Sequence, residues 1–253
     1  MVCGGTEMNT IILILAILPV IVLSVYIYRK DKYEKEPFRM LLLAFFLGIL
    51  AIPTDLVVVG VIDEVFGGST IFYQAFFEAG IPEELCKWAF FMLVIWRNKN
   101  FNEFFDGIVY AVFISLGFAC IENIMYVFNA EDFIEAFHTG VLRALLSVPG
   151  HFLFAVIMGY FLGMAKFKPE SKGKYLMLSL LCPILAHGLF DYLIMLAAVF
   201  AASDTELIGG VLYIVFIYFD IKMWKIGLKQ ISKMQEHSRI EHNNNIFRKI
   251  FKF

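Results

Sequence analysis

Residues 10–28 read TIILILAILPVIVLSVYIY, and residues 29–39 read RKDKYEKEPFR. An apolar run of roughly 20 residues is long enough for an α-helix to cross the hydrocarbon core of a bilayer. The flank before this run has no basic residue, whereas the flank after it has five: Arg29, Lys30, Lys32, Lys35 and Arg39. Because basic flanks stay in the cytoplasm, the sequence predicts a stop-transfer helix with the N-terminus outside, and not a cleaved signal peptide.

The composition extends this prediction to the whole chain. Of the 253 residues, 60% are apolar and only 17% are charged, against roughly 45–50% and about 25% in soluble proteins. Such a chain cannot cover a globule with polar surface, so it is predicted to be a polytopic protein of the lipid bilayer. A net charge of −2 argues against a nucleic-acid partner. The four cysteines are too few and too scattered for a disulfide framework.

Six further apolar runs are long enough to span a bilayer: 40–62, 71–96, 106–128, 141–165, 175–199 and 207–227. The loops at 97–105 and 166–174 and the tail after residue 227 are basic, whereas the alternate loops are neutral or acidic. Since the backbone must satisfy its own hydrogen bonds in lipid, each run is predicted to be a helix. We therefore predict an all-α transmembrane bundle of about seven spans, with the N-terminus out and the C-terminus in.

The sequence divides into a transmembrane domain, 1–227, and a basic, amphipathic cytoplasmic tail, 228–253. The tail ends in IFRKIFKF at 246–253, a pattern that suits either an interfacial helix on an anionic leaflet or a frayed terminus. The Glu-His pairs at 236–237 and 241–242 are interpreted as a solvated face and not a metal site, because this segment lacks an enclosing core.

The third apolar run has charged residues in its middle, where residues 77–88 read FEAGIPEELCKW. An ionisable residue deep in a span costs at least roughly 2.5–3.5 kcal/mol, so it normally has a function or a partner. The Gly-Ile-Pro at 80–82 predicts a break in the helix, with the proline at the start of a new helix. Glu83 and Glu84 would lie in its first turn, one turn before Lys87. A structural Glu–Lys pair would explain one of these carboxylates, but hardly two.

Ionisable residues also lie inside three later runs: Glu122 in the fourth, His151 in the fifth, and His187 and Asp191 in the sixth. His187 and Asp191 are four residues apart and share one helix face. At about 1.5 Å per residue, these four positions lie at the middle of their spans or within roughly 8 Å outside it, close to the depth of Glu83 and Glu84. A lone buried histidine is usually structural, but two histidines among several carboxylates predict a functional site.

Several signatures of membrane proteases are missing from the sequence. There is no His-Glu-x-x-His zinc motif, no Gly-x-Ser-x-Gly and no Gly-Asp pair in facing helices. The candidate site instead presents, in chain order, Glu-Glu-x-x-Lys, Phe-x-x-x-Glu, an isolated His and His-x-x-x-Asp.

With this order, and with DGIVY at 106–110, GFA at 117–119 and EN at 122–123, residues 78–191 resemble the PrsW proteases. These are relatives of the glutamate-dependent CAAX prenyl endopeptidases and of bacterial Abi membrane proteins. The wider superfamily has Glu-Glu-x-x-x-Arg and Phe-x-x-x-His, whereas this chain has Lys87 and Glu122, as the PrsW branch does. The resemblance implies a multi-pass protease of the bacterial cell membrane. It would make the first, extracytoplasmic cut in a single-span partner, an anti-sigma factor.

The residue types suggest a mechanism for that cut. A carboxylate in a low-dielectric pocket is a stronger base than in water, so Glu83 or Glu84 is the expected general base. His187 and Asp191 would polarise the scissile carbonyl, while His151 and Glu122 would hold the water. The resemblance assigns supporting positions to four further residues: Lys87, Phe118, Asn123 and Asp106. It favours hydrolysis without a cofactor, so no metal ligand is assigned, although Glu and His together could bind zinc as the alternative.

Two interpretations from other classes stay open at this point. A proton-coupled transporter also uses carboxylates and histidines at the middle of the membrane, although no internal repeat of the third run is present. A non-catalytic scaffold could bind a partner's span through Gly159 and Gly163, which are spaced for close helix packing.

The charge pattern of the loops makes a prediction about topology. In a chain whose natural cysteines are replaced, single cysteines at Asp132 or Asp204 should react with an impermeant thiol reagent added outside cells. A cysteine at Lys172 should react only after the membrane is opened. The reverse pattern would contradict both the orientation and the predicted depth of the site.

Overall fold

The computed structural model describes residues 3–251 of the chain, and the side chains of residues 8–244. Within this range the backbone is helical, with short loops and no strands. The α-helices are α1 (Cys3–Lys30), α2 (Phe38–Val65), α3 (Ile71–Tyr73), α4 (Ile81–Phe90), α5 (Asp106–Phe128), α6 (Phe133–Leu142), α7 (Val148–Phe167), α8 (Lys172–Ala201) and α9 (Glu206–Phe251). π-Helical segments join some of them: Gln74–Gly80, Phe91–Ile95 and Arg143–Ser147.

Six helical stretches in the described part of the chain are long and apolar enough to cross a membrane. They are Met8–Lys30, Phe38–Val65, Asp106–Phe128, Phe133–Phe167, Pro169–Ala201 and Glu206–Asn244. The all-α membrane fold is thereby confirmed. The segment 71–96, predicted as another span, consists instead of short consecutive α- and π-helical pieces. The count of seven spans and the orientation of the termini stay predictions.

The predicted break at residues 80–82 is wrong in its details. Gly80 keeps helical backbone angles, and Ile81 N–H donates to Phe76 O, five residues back. The chain therefore changes from a wider π turn to an α turn without opening. Pro82 lies in the first turn of α4, where a helix has no need of its missing N–H, so the proline does not interrupt the helix.

Glycines bring α8 against this junction. A Cβ atom on Gly80 would lie 3.0 Å from Gly188 N, and one on Gly188 would lie 2.3 Å from the Phe76 ring. A Cβ atom on Gly80 would need the Gly188 backbone to shift slightly, and one on Gly188 would need the Phe76 ring to move. The close crossing places the first turn of α4 beside the middle of α8.

The interface between α5 and α7 forms the centre of the bundle. Cβ atoms on Gly107 and Gly159 would lie 2.5 Å or less from backbone of the opposite helix, and Gly163 faces Phe104 O just before α5. The predicted close packing at Gly159 and Gly163 is therefore present, but its partner lies in this chain. That face is not available to another protein's span, which removes the basis for the scaffold interpretation.

The helix α9 runs without interruption through residue 227, so no change in the backbone marks the predicted boundary between domain and tail. Beyond it, Met234 and Ser238 are buried, and Phe105 N–H donates to Ser238 Oγ at 3.1 Å. His237 stacks on the Phe104 ring, with centroids 4.9 Å apart. The first part of the tail thus packs on the bundle and is not wholly solvated, contrary to the sequence interpretation. The side chains of 246–253 lie outside the described residues.

Four acidic side chains are buried where the loops before α2 and before α5 meet: Asp31, Glu36, Glu103 and Asp106. The Asp106 carboxylate accepts hydrogen bonds from the N–H groups of Asn102 and Glu103 at 2.8 Å each, and Tyr110 donates its hydroxyl to Glu36. No ion pair among the described side chains includes any of the four. Hydrogen bonds, and no directly contacting cation, are therefore what these described carboxyl groups have as partners.

This arrangement raises the proton affinity of the loop carboxyls. Burial raises the pKa of Glu103 from 4.5 to about 8, and the negative charge of Asp106 adds to the effect. Burial likewise raises the pKa of Glu36 to about 8 and that of Asp31 from 3.8 to about 6. A group whose pKa is raised by folding stabilises the folded state at low pH, and this stabilisation is lost as the pH rises through the folded pKa.

We therefore expect the thermal unfolding midpoint of the purified protein to fall as the pH rises from about 5 to about 8. Glu103→Gln removes one of the titrating groups and should flatten this dependence by roughly a few degrees over the interval. Glu170→Gln, at an exposed loop position, should keep the wild-type slope. An unchanged slope in Glu103→Gln would show that this carboxyl is already ionised in the folded state.

Candidate active site

A buried lysine lies at the centre of the predicted site. Lys87 Nζ lies 2.9 Å from Glu83 Oε2 and 2.8 Å from Glu84 Oε1, and all three side chains are buried. Spacings of three and four residues on α4 bring both carboxylates to the same ammonium group. One lysine therefore pairs with both adjacent glutamates, which the sequence argument considered improbable. The pairing compensates most of the charge that these side chains bring into the bundle.

His151, from α7, lies beside this group. Its Nδ1 is 3.2 Å from Lys87 Nζ, and its Nε2 is 2.8 Å from Glu122 Oε2. An ammonium group can only donate, so Nδ1 accepts and the ring proton is on Nε2, from which it is donated to Glu122. The two neighbours thus select one neutral tautomer of His151.

His187, from α8, has a different environment. Its Nδ1 lies 3.1 Å from Glu84 Oε1, and its Nε2 lies 3.2 Å from Asp191 Oδ2. A ring with a carboxylate at each nitrogen is best satisfied as an imidazolium that donates from both. The two imidazole rings are 5.3 Å apart.

Arg143, from the π-helical segment before α7, forms an ion pair with Glu122, with Nη2 2.7 Å from Oε2. Its Nε donates to Asn123 Oδ1 at 2.7 Å, and Asn123 Nδ2 donates to Ala16 O at 3.2 Å. The supporting position predicted for Asn123 therefore connects α1 to the site through Arg143. Arg143 was not among the residues predicted for the site. The sequence did contain a signal for Arg143. It is a basic residue on the predicted outer side, where the loops are neutral or acidic.

Two aromatic rings enclose the charged groups. Lys87 Nζ lies 4.1 Å from the centroid of the Phe118 ring, a cation–π contact that agrees with the predicted supporting position. Phe154 stacks on His187 with centroids 4.5 Å apart and an angle of 19° between the rings. No motif in the sequence distinguished Phe154 from the other apolar residues of its span.

A cavity of about 790 Å³ reaches the site from one side. Its lining includes six of the predicted residues: Glu83, Phe118, Glu122, His151, His187 and Asp191. Glu84 and Lys87 are not part of the lining, and they lie behind Glu83. Only one of the two adjacent glutamates therefore contacts the space in which a substrate could bind.

The structure thus brings together nine of the ten predicted site residues. The exception is Asp106, at the first residue of α5, 16 residues before Glu122, a separation of about 24 Å along a helix. Its carboxylate caps the preceding loop and belongs to the buried acidic cluster at the other end of the bundle. Its contacts there are structural.

Four side chains of the site could together hold a metal ion. Glu83, Glu84, His151 and His187 each offer one ligand atom, and these atoms lie within 4.8 Å of one another. Their types and spacing fit a tetrahedral zinc ion, which would polarise a carbonyl and acidify a bound water. However, Lys87 Nζ is within 2.8–3.2 Å of three of these ligand residues. An ion at coordination distance would therefore require Lys87 to withdraw.

Comparison with known proteins gives one matching family and several similar chains. Residues 36–221 match the model of a family described as PrsW family intramembrane metalloprotease. Protease PrsW of Clostridioides difficile (strain 630) is 34% identical over 244 residues, which cover 93% of this chain and 96% of the relative. Protease PrsW of Bacillus subtilis (strain 168) is 35% identical over 218 residues, which cover 86% and 92%. No solved structure matches the chain.

The position of Lys87 makes a prediction about metal dependence. Lys87→Met leaves Glu83 and Glu84 without their shared cation, so we expect a loss of stability of about 3–5 kcal/mol, partly restored by added zinc. The wild-type protein should not gain stability from zinc, because Lys87 already occupies the position. Thermal unfolding with and without zinc measures both effects, with Lys166→Met as the control. Stabilisation of the wild-type protein by zinc would show that Lys87 withdraws and that the site binds metal.

Proposed function

Because this chain belongs to the PrsW family and is thus a bacterial multi-pass membrane protease, we propose that it makes the first, extracytoplasmic-side cut in a single-span membrane protein. An anti-sigma factor is the proposed substrate, and a water activated by a glutamate is the proposed nucleophile. The observation that carries the proposal is the position of Glu83, which lines the cavity and whose Oε2 pairs with Lys87 and lies 3.9 Å from Nδ1 of each of two histidines.

Glu83 is the proposed general base. The two histidines that flank it lie with Nδ1 3.9 Å from its Oε2, and the cavity gives water access to the carboxylate. Glu84 pairs with Lys87 and His187 and does not line the cavity, so it is assigned the role of keeping that lysine and histidine in place. On this division of roles, Glu83 reacts and Glu84 supports it.

The proposed reaction has two proton transfers. Glu83 takes a proton from water as the oxygen adds to the scissile carbonyl carbon, and the charge on the carbonyl oxygen is stabilised by the imidazolium of His187. The carbon–nitrogen bond then breaks as Glu83 returns the proton to the leaving nitrogen, which gives a carboxyl group and an amine. His151, which Glu122 holds in one tautomer, orients the water.

The cavity also bears on the position of the cut. Besides the site, its lining includes Val59, Gln74, Asn129 and Met195, which lie at or near the predicted outer ends of four helical segments. Hydrolysis needs water, and extended backbone is tolerated at membrane depth only within such a cavity. We therefore propose that the substrate is cut at or just outside its outer membrane boundary, where its helix frays.

The proposal is tested by reconstituting the protein in liposomes with a single-span reporter protein. Wild type should produce one new fragment, and mass spectrometry should place its terminus at the outer boundary of the reporter's span. Glu83→Gln should lower the rate by roughly 10²–10⁴-fold, since it removes the base. Glu84→Gln should lower the rate less, and the exposed Glu170→Gln should not.

Two outcomes would contradict this assignment. Near wild-type cleavage by Glu83→Gln would exclude Glu83 as the base, and a cut in the cytoplasmic half of the span would refute the proposed orientation. A parallel reaction with a chelator separates the mechanisms, because lost activity that zinc restores would show metal dependence.

A further inference from the structure

The charges that line the cavity do not balance. Five carboxylates contribute to the lining: Asp55, Glu78, Glu83, Glu122 and Asp191. Glu83 pairs with Lys87, Glu122 with Arg143, and Asp191 with His187. Among the described side chains, neither Asp55 nor Glu78 takes part in an ion pair or a side-chain hydrogen bond. These two carboxylates therefore line the cavity with no cation or hydrogen-bond donor in direct contact among the described side chains.

Asp55 is the more unusual of the two. It lies in α2, in the interior of a predicted span, its side chain is only 8% exposed, and its Oδ1 accepts no hydrogen bond. A buried polar group without a partner costs roughly 1–3 kcal/mol, and more when it is charged. Because Asp55 lines the cavity, a bound ligand could supply the missing donor.

The surroundings of Asp55 indicate the kind of ligand. Ile52 and Val59 are three residues before and four residues after it, on the same helix face, and both line the cavity with Leu56. An apolar wall that leads to an unpaired carboxylate suits a long side chain with an aliphatic stem and a cationic end. The cation already present in the lining, Arg143, is paired with Glu122 and is not available to Asp55.

We propose that Asp55 and Glu78 form a subsite for a lysine or arginine side chain of the substrate, close to the scissile bond. The inference rests on the proposed endopeptidase function and adds a substrate preference to it. Asp55 lies near enough to Lys87, Glu122 and His187 to interact with each electrostatically. Glu78 precedes the proposed base by five residues in the same helical segment. The basic side chain would therefore lie within a few residues of the cut, and an acidic side chain there would be repelled.

The test uses the single-span reporter in liposomes after its cut has been mapped. Lysine, glutamine or glutamate is placed in turn at each of the few positions on either side of the cut, and kcat/KM is measured for each reporter. At one position, lysine should raise kcat/KM about tenfold over glutamine, the factor that corresponds to one charge-assisted contact. Glutamate at that position should lower it.

Variants of the protein then assign the preference to these residues. In Asp55→Asn the ratio of lysine to glutamine reporters should fall from about ten to near one, and Asp55→Lys should shift the preference to the glutamate reporter. The matched control is Glu64→Gln, an exposed carboxylate on the same helix outside the cavity, which should keep the wild-type ratio. If Asp55→Asn does not purify as a folded protein, Glu78→Gln provides the same comparison.

The outcomes separate this proposal from the function on which it rests. A wild-type protein that cleaves every reporter without preference would overturn the subsite and leave the protease assignment intact. A preference that persists in Asp55→Asn and Glu78→Gln would show that other residues form the subsite. Failure of the wild-type protein to cleave any reporter would overturn the proposed function, and the subsite with it.

Discussion

Lys87 places one ammonium group within 3.2 Å of atoms from Glu83, Glu84 and His151, and over the Phe118 ring. Charges buried at membrane depth are costly unless they are paired, and removal of one partner leaves the others uncompensated. The positions of α4, α5 and α7 all depend on this contact, since each contributes a group to it. The same contact bears on metal binding, because the ammonium lies within 2.8–3.2 Å of three of the residues that could ligate an ion.

A second set of contacts extends outward from the lysine. His151 accepts a hydrogen bond from Lys87 and donates one to Glu122. Glu122 also pairs with Arg143, and Arg143 donates a hydrogen bond to Asn123. Each group fixes the proton or the orientation of the next, so the network is satisfied as a unit. His187 lies between two carboxylates and belongs to the same arrangement. The result is a preorganised set of donors and acceptors around Glu83, in contact with a cavity large enough for a peptide segment.

Close helix packing makes this arrangement rigid. Glycines at the crossings of α5 with α7, and of the segment before α4 with α8, let backbones approach to distances that a Cβ atom would prevent. The site residues therefore lie on elements whose positions are set by backbone contact. The buried acidic cluster at the opposite end, over which α9 packs, is separate from the site. Asp106 belongs to this cluster and therefore has no contact with the reacting groups, although it is part of a motif that is recognisable in the sequence.

The sequence by itself determined the all-α membrane architecture, because the length of apolar runs and the cost of charges in lipid leave few alternatives. It also identified six carboxylates and histidines that come together, because such a residue within a span needs a reason to be there, and the family resemblance added Lys87, Phe118 and Asn123. The sequence also left a proton-coupled transporter open. The matching family and the relatives named Protease PrsW show a protease instead. Only the tertiary structure decided that Glu83 faces the cavity and Glu84 does not, that Arg143 and Phe154 belong to the site, and that Asp106 does not. These depend on how helices are rotated and how closely they pack, and packing contacts between distant segments leave no periodic signal in a single sequence.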